Sequence, residues 1–184
     1  MEKISQQRIL DTAQQLVEQN GIQKVTLTKV GQALGISHAA LYKHFKNKED
    51  LWTSLALSWL DKTLVTLFPF NTEPYTTKTA ILHDWLWTLT SQKMAAREDD
   101  PDMFALYTTY IDQNPAALQI HVNDLDDSLQ QAIGPLSSDL VTAVMNAFLT
   151  FSAPAYASSW GPSTQEQFES VWQLMLPGLK QALD

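Results

Sequence analysis

Apolar positions recur at helical spacing along most of the chain. Ile9, Leu10, Ala13, Leu16 and Val17 share one face of a helix predicted from about Ser5 to Asn20, with Gly21 placed to cap it in a left-handed conformation. Thr26 opens a second helix whose inner face is Leu27, Val30 and Leu34, and Gly35 permits the positive φ of a tight turn. Ser37 caps a third helix that turns Leu41 and Phe45 inward. Asn47 caps a fourth, with Glu49 and Asp50 suited to its dipole; it is predicted from about Lys48 to Phe68, where Pro69 stops it. A loop follows over 69–77, then a helix over 78–97. Asp100-Pro101 reads as a cap with a first-turn proline, leading into a helix to about Gln113. Asn114-Pro115 opens a shorter helical stretch that ends at Gly134-Pro135, and the last two helices are predicted at 137–158 and 164–182. No strand alternation, internal repeat or low-complexity tract interrupts this pattern. The expected fold is all-α, with about nine helices. A three-helix helix-turn-helix unit of homeodomain-like form covers residues 1–47, and the long fourth helix joins it to a helical domain over 48–184.

The segment from Thr26 to Lys48 carries the most specific chemistry. Two short helices joined by a tight turn, the second with polar and basic groups outward, form the arrangement that enters a DNA major groove. Leu41 and Phe45 lock the third helix inward, which leaves Ser37, His38, Ala39, Tyr42 and Lys43 to meet base edges. Lys43 can donate to guanine O6 or N7, and Ala39 can touch a thymine methyl. Thr26 and Thr28 begin a helix, where free N–H groups favour an anion. Tyr42, His44, Lys46 and Lys48 are placed to reach phosphate oxygens, which hold register while base contacts specify. Alternatives stand beside these roles: Tyr42 packed with only its hydroxyl at the surface, His44 packed on the fourth helix, and Lys3 and Arg8 as plain solvated charges.

Composition sharpens this picture. Hydrophobic residues make up 45% of 184, enough for a real core, and cysteine is absent, which removes disulfides and cysteine metal sites. The N-terminus lacks the apolar run of a signal peptide, and no apolar stretch is long enough to span a membrane, so a soluble cytoplasmic protein is expected. The net charge of −8 argues against nucleic acid until its distribution is considered. Residues 1–48 hold seven basic and three acidic residues, a net +4, and the remainder holds five basic and 17 acidic, a net −12. Phosphate attraction is thereby confined to one end.

At these residues the sequence resembles the tetracycline-repressor (TetR) family of bacterial regulators, from about Arg8 through Trp52. The resemblance rests on Asn20-Gly21, on Thr26 opening the second helix, on Leu34-Gly35-Ile36-Ser37 at the turn, and on the run Leu41-Tyr42-Lys43-His44-Phe45-Lys46-Asn47-Lys48-Glu49-Asp50-Leu51. It implies an all-helical homodimer with DNA contacts at Thr26, Ser37, His38, Ala39, Tyr42, Lys43, His44 and Lys48; Thr28 joins them from its place in the first turn. Two positions depart from the family pattern: Gly31 where alanine is frequent, expected to loosen the second helix slightly, and Ala39 where glycine is frequent, which adds a methyl at the DNA surface.

Beyond about Lys62 no motif is comparably specific. The resemblance implies a small-molecule effector pocket in this region, and Trp85, Tyr107, Tyr110 and Phe148 are the candidate lining residues. It also implies a dimer interface on the last two helices, with Leu140, Val144, Phe151, Phe168, Trp172 and Met175 as candidates; the same apolar faces fit packing within one subunit equally well. His121-Val122-Asn123-Asp124 and the residues after it lack calcium-loop and zinc spacing, so no metal is expected, and no cofactor. No phosphate loop or nucleophile motif points to an enzyme. The expected function is a ligand-responsive transcriptional regulator, a repressor, that binds a palindromic DNA operator as a homodimer and is released by an effector. The rivals are a helical small-molecule-binding protein or enzyme with an incidental helix-turn-helix, and a constitutive DNA-binding protein.

Overall fold

A computed structural model describes residues 4–183, and every regular element among them is helical. In chain order these are α1 (Gln6–Asn20), α2 (Leu27–Leu34), α3 (His38–Leu41), α4 (Lys48–Thr63), α5 (Lys78–Asp99), α6 (Pro101–Tyr107), α7 (Pro115–Ile133), α8 (Ser138–Ala147), α9 (Leu149–Ser152) and α10 (Thr164–Leu183). Short 3₁₀ turns cover Ile22–Lys24, Val65–Leu67 and Pro154–Ser159, and one π-helical turn covers Thr108–Asp112.

The predicted caps form. Thr26 Oγ1 accepts from the Lys29 N–H at 3.3 Å, Ser37 Oγ from Ala40 at 3.2 Å, Asn47 Oδ1 from Asp50 at 2.8 Å and Asp100 Oδ1 from Met103 at 3.2 Å. Each satisfies an N–H that the first turn of its helix leaves open. Gly35 is left-handed at φ 65°, ψ 29°, whereas Gly21 takes a positive φ of 78° with ψ 146°, outside the left-handed helical region.

Other boundaries differ from the sequence reading. The fourth helix stops at Thr63, and its expected last turn tightens into the 3₁₀ segment Val65–Leu67. The stretch from Pro115 is a full helix of 19 residues. The single helix predicted over 137–158 is broken: Phe148 leaves helical geometry at φ −101°, ψ 5°, and Pro154, which has no N–H to donate, begins a 3₁₀ turn.

The chain forms two compact units. The first takes residues up to Lys62 together with Arg97–Leu118; the second takes Thr63–Ala96 together with residues from Gln119 onward. In the first unit α1, α2 and α3 enclose Ile9, Ala13, Val17, Val30, Leu41 and Phe45, all essentially without solvent exposure. The unit also contains α6, which packs against α1 and the 3₁₀ turn after it. Asp100, which caps α6, has its carboxyl raised above the ordinary range, first by burial and then by the nearby charges of Glu18 and Asp102; the Trp59 side chain hydrogen-bonds to it.

In the second unit the core is aromatic. Phe168 lies 4.8 Å from Phe148, 5.6 Å from Phe151 and 5.1 Å from Trp87, centroid to centroid. The Trp85 indole N–H donates to Ser128 Oγ at 3.0 Å, and that hydroxyl donates in turn to the Leu67 carbonyl. Lys93 and His121 are both buried, with Nζ and Nε2 3.1 Å apart. Burial, and then the Lys93 charge, holds the imidazole well below its ordinary 6.5, so His121 accepts from the ammonium.

Two outcomes follow from this packing. Leu41 is 1% exposed, so Leu41→Ala should lower stability in chemical denaturation by about 2–5 kcal/mol. His121 takes up a proton at its ordinary 6.5 only in the unfolded chain, so stability from the neutral, buried ring is complete above that pH and falls below it. The melting temperature of the parent should therefore drop faster than that of His121→Gln between about pH 7 and about pH 5.

Candidate nucleic-acid interface

The orientation of α3 is set by close approach to α2. Gly31 is buried, and a Cβ there would lie 3.2 Å from the Ile36 carbonyl oxygen and 3.3 Å from Leu41 Cδ1. The missing side chain thus lets the turn and the third helix sit directly on α2. The Ile36 N–H donates to the Gly31 carbonyl at 2.9 Å and the Gly35 N–H to Gln32 at 3.1 Å, which closes the turn. Gly31 was expected to loosen α2; its place in this contact gives it a packing role.

Beyond its regular residues α3 continues as turns, with Tyr42, Lys43, His44 and Phe45 N–H groups bonded to His38, Ala40, Leu41 and Leu41 carbonyls. Leu41 and Phe45 face the core. Thr26, Thr28, Ser37, His38, Ala39, Tyr42, Lys43 and Lys48 are exposed, and His44 is half-buried. Tyr42 keeps 42% of its surface open while its ring meets the His38 edge at 4.8 Å, so the packed and the accessible readings of this residue both hold in part. Lys3 lies outside the described residues. Arg8 is exposed on α1, beside a groove shared with Gln15, Gln19 and Leu34.

The chemistry of this face is that of a hydrogen-bond donor. The Thr26 and Ser37 oxygens accept from their own helices, which leaves each O–H free to donate outward. Lys43, Lys46 and Lys48 form no ion pair among the described residues. Asn47 Oδ1 caps α4 through the Asp50 N–H, and the Lys46 N–H donates to Asp50 Oδ2 at 2.7 Å, which places the exposed Lys48 in the first turn of that helix. One residue absent from the sequence-based set joins the face. Gln32 lies with Thr28 and His38 around a hollow of about 400 Å³ floored by Leu27, Gly31 and Ile36. The four-residue spacing from Thr28 to Gln32 places both on one flank of α2, a signal the sequence contains.

This head matches a family model described as bacterial regulatory proteins, tetR family, over residues 9–55. Residues 79–135 match a second, described as the tetracyclin repressor-like C-terminal domain. Together the two take in more than half of the chain. The chain belongs to the tetR family of bacterial regulators.

Among relatives of this tetR-family chain, the HTH-type transcriptional regulator AcrR of Shigella flexneri is 37% identical over 51 residues, 28% of this chain and 24% of that protein. The HTH-type transcriptional regulator SAUSA300_2515 of Staphylococcus aureus (strain USA300) is 37% identical over 49 residues, 27% and 26% of the two chains. The match spans about a quarter of the length of these relatives. The fold extends further. Mycobacterium smegmatis BioQ aligns with a TM-score of 0.59 at 20% identity, covering 96% of this chain and 98% of that one. A TetR-family transcriptional regulator, HI0893 from Haemophilus influenzae, aligns at 0.50 and 17% identity, covering 91% and 94%. That family is one of DNA-binding transcriptional regulators rather than of enzymes. No helix among the described residues is long and apolar enough to cross a membrane.

The residues expected in the body fall differently. Of the four effector candidates, Tyr107 and Tyr110 belong to the first unit and Trp85 and Phe148 to the second. Trp85, Tyr107 and Phe148 are fully packed, and none of the four lines the hollow beside Thr28 and His38, the groove beside Arg8 or the cavity between α5 and α10. Of the dimer candidates, Val144, Phe151, Phe168 and Trp172 are buried in the core of their own unit; Leu140 and Met175 are half-buried. An apolar face large enough for a partner is equally able to close a core, and here those four side chains close it.

If α3 reads bases while the start of α4 grips phosphate, two substitutions separate the roles. Lys43→Ala should relax preference at one base pair, at about 1–3 kcal/mol, in titrations across sequence variants of a duplex. Lys48→Ala should weaken binding to all of them alike and reduce the salt slope by about 1.

Proposed function

We propose that this regulator is a repressor that binds a near-palindromic operator as a homodimer and is released by a small-molecule effector. The observation that carries the reading is the outward face of α3 beside the N-terminus of α2, with an exposed lysine in the first turn of α4. Two such heads read half-sites in successive major grooves when their recognition helices stand about 34–36 Å apart, or a multiple of a helical turn. Thr26, Thr28, Ser37, His38, Ala39, Tyr42, Lys43, His44 and Lys48 would make the contacts, with Gln32 added. The +4 charge of residues 1–48 draws DNA to this end, and the −12 of the remainder opposes wrapping by the rest. Its place of action is the bacterial cytoplasm, where the operator lies.

The dimer face we propose lies on α10 but on a different stripe from the one read in the sequence. Phe168 and Trp172 turn inward, whereas Gln167, Val171, Leu174 and Gly178 follow one another at three- and four-residue spacing on an outer flank. Leu174 is 84% exposed, and nothing crowds the position where a Cβ would stand on Gly178. A bare leucine beside a glycine is what a second helix needs for close approach.

Release by an effector requires that its binding change the heads. Packing of α6 against α1 supports a route in which α6, along with α4, biases head position. The effector must distinguish the two conformers, by typically ~1–3 kcal/mol of coupling.

Leu174→Asp should convert the protein from dimer to monomer in light scattering and weaken binding to a palindromic duplex, with helical content unchanged by circular dichroism. A variant that stays dimeric with full DNA affinity would rule this face out.

A further inference from the structure

The second unit holds a cavity of about 320 Å³ between the start of α5 and the middle of α10, within the size range of small-molecule sites. Its polar wall includes His83, Asp84 and Glu169, tied together by a chain of hydrogen bonds that extends beyond the lining to Tyr75. The Tyr75 hydroxyl donates to Asp84 Oδ2 at 2.8 Å, and Asp84 Oδ1 lies 2.6 Å from His83 Nδ1. His83 Nε2 lies 3.1 and 3.2 Å from the two Glu169 oxygens. Burial, and then the Asp84 hydrogen bond, pushes the Tyr75 phenol up to about 12, so it stays a neutral donor. Both carboxylates are thereby held in place, while their side chains remain 47% and 39% exposed. A carboxylate has about four acceptor positions, and this chain uses only some of them. The apolar wall is Trp172, Leu176 and Ala80, with the Trp172 ring 4.9 Å from His83 and edge-on to it.

We propose that this cavity binds a small organic cation: an amidinium or protonated amine that donates to Asp84 and Glu169 and lays a flat apolar body against Trp172 and Leu176. Donors are what the open carboxylate positions lack, and a positive charge is what two carboxylates favour; the basic side chains on the lining are His83, which bridges the two carboxylates, and Lys180. An anion would face both acids. Carboxylates already oriented by His83 and Tyr75 lose little freedom on binding, which favours affinity. The cavity lies on the stripe of α10 that carries Glu169, Gln173 and Lys180, away from Leu174. If the regulator reading above holds, this is a seat for its effector, but the binding itself does not depend on that reading.

Calorimetric titration of the full chain with benzamidine, benzamide and benzoate tests the charge and the shape together. Benzamidine should bind at one site per chain, and neutral benzamide and anionic benzoate at least about tenfold more weakly. Glu169→Gln, which can still bond to His83, should weaken benzamidine about ten- to hundred-fold, as the loss of one charged hydrogen bond requires. In the parent protein, amide shifts on adding benzamidine should fall on residues 77–84 and 169–180, a readout that does not depend on any variant folding. Equal binding of the three probes, no saturable binding of benzamidine, shifts confined to other residues, or an unchanged affinity in a folded Glu169→Gln protein would each overturn the site. The same titrations on protein bound to duplex DNA separate the two claims. Benzamidine binding with no change in DNA affinity supports the site and removes it as the effector's seat. A protein that binds benzamidine but no DNA overturns the regulator reading alone.

Discussion

The helix-turn-helix head of this protein depends on one contact, the seating of α3 on Gly31. A helix with four regular residues cannot hold itself in water, because so few hydrogen bonds do not offset the cost of nucleation. Its orientation comes from outside: Leu41 and Phe45 anchor it in the core, and the absent side chain at Gly31 lets the Ile36 carbonyl and Leu41 come close. With that seating fixed, Ser37, His38, Ala39, Tyr42 and Lys43 have one direction in which to point, away from the core. Ser37 then adds a cap that uses its oxygen and leaves its proton. Local hydrogen bonding and tertiary packing specify the same geometry, which is the condition for a short element to be well defined.

The head is not closed by its own three helices. The first compact unit also draws in α6, from nearly a hundred residues downstream, against α1. The carboxyl of Asp100 at the start of α6 is part-buried near Glu18 of α1, and the Trp59 side chain of α4 hydrogen-bonds to it. A part-buried carboxyl with an acidic neighbour on a second helix makes the spacing of the two helices energetically sensitive. What shifts α6 therefore acts on α1 within the same unit.

What could be read from the sequence was local. Thr26, Ser37, Asn47 and Asp100 were legible as caps because a cap is decided by a residue and the N–H three positions on. The outward and inward faces of the third helix were legible for the same reason, from Leu41 and Phe45 at helical spacing. The break inside 137–158 was a misreading of a visible signal, since Pro154 cannot continue a helix. The body was a different kind of problem. Phe148 was assigned to an effector pocket and Phe151, Phe168 and Trp172 to a dimer face, yet all four meet in one buried cluster. Periodicity tells which side of a helix is covered but not by what, and only long-range packing answers that. The partnership of His83 with Glu169 was out of reach for the same reason, since the two lie 86 positions apart.

We assign DNA contact to residues 37–48 together with the start of α2. Amide hydrogen exchange of the protein, alone and with a duplex selected from random sequence, tests this most directly. Exchange should slow only at residues 26–32 and 37–48, with the outer face of the second unit unchanged. Exchange at 37–48 that is indifferent to bound duplex, with protection appearing elsewhere, would contradict it.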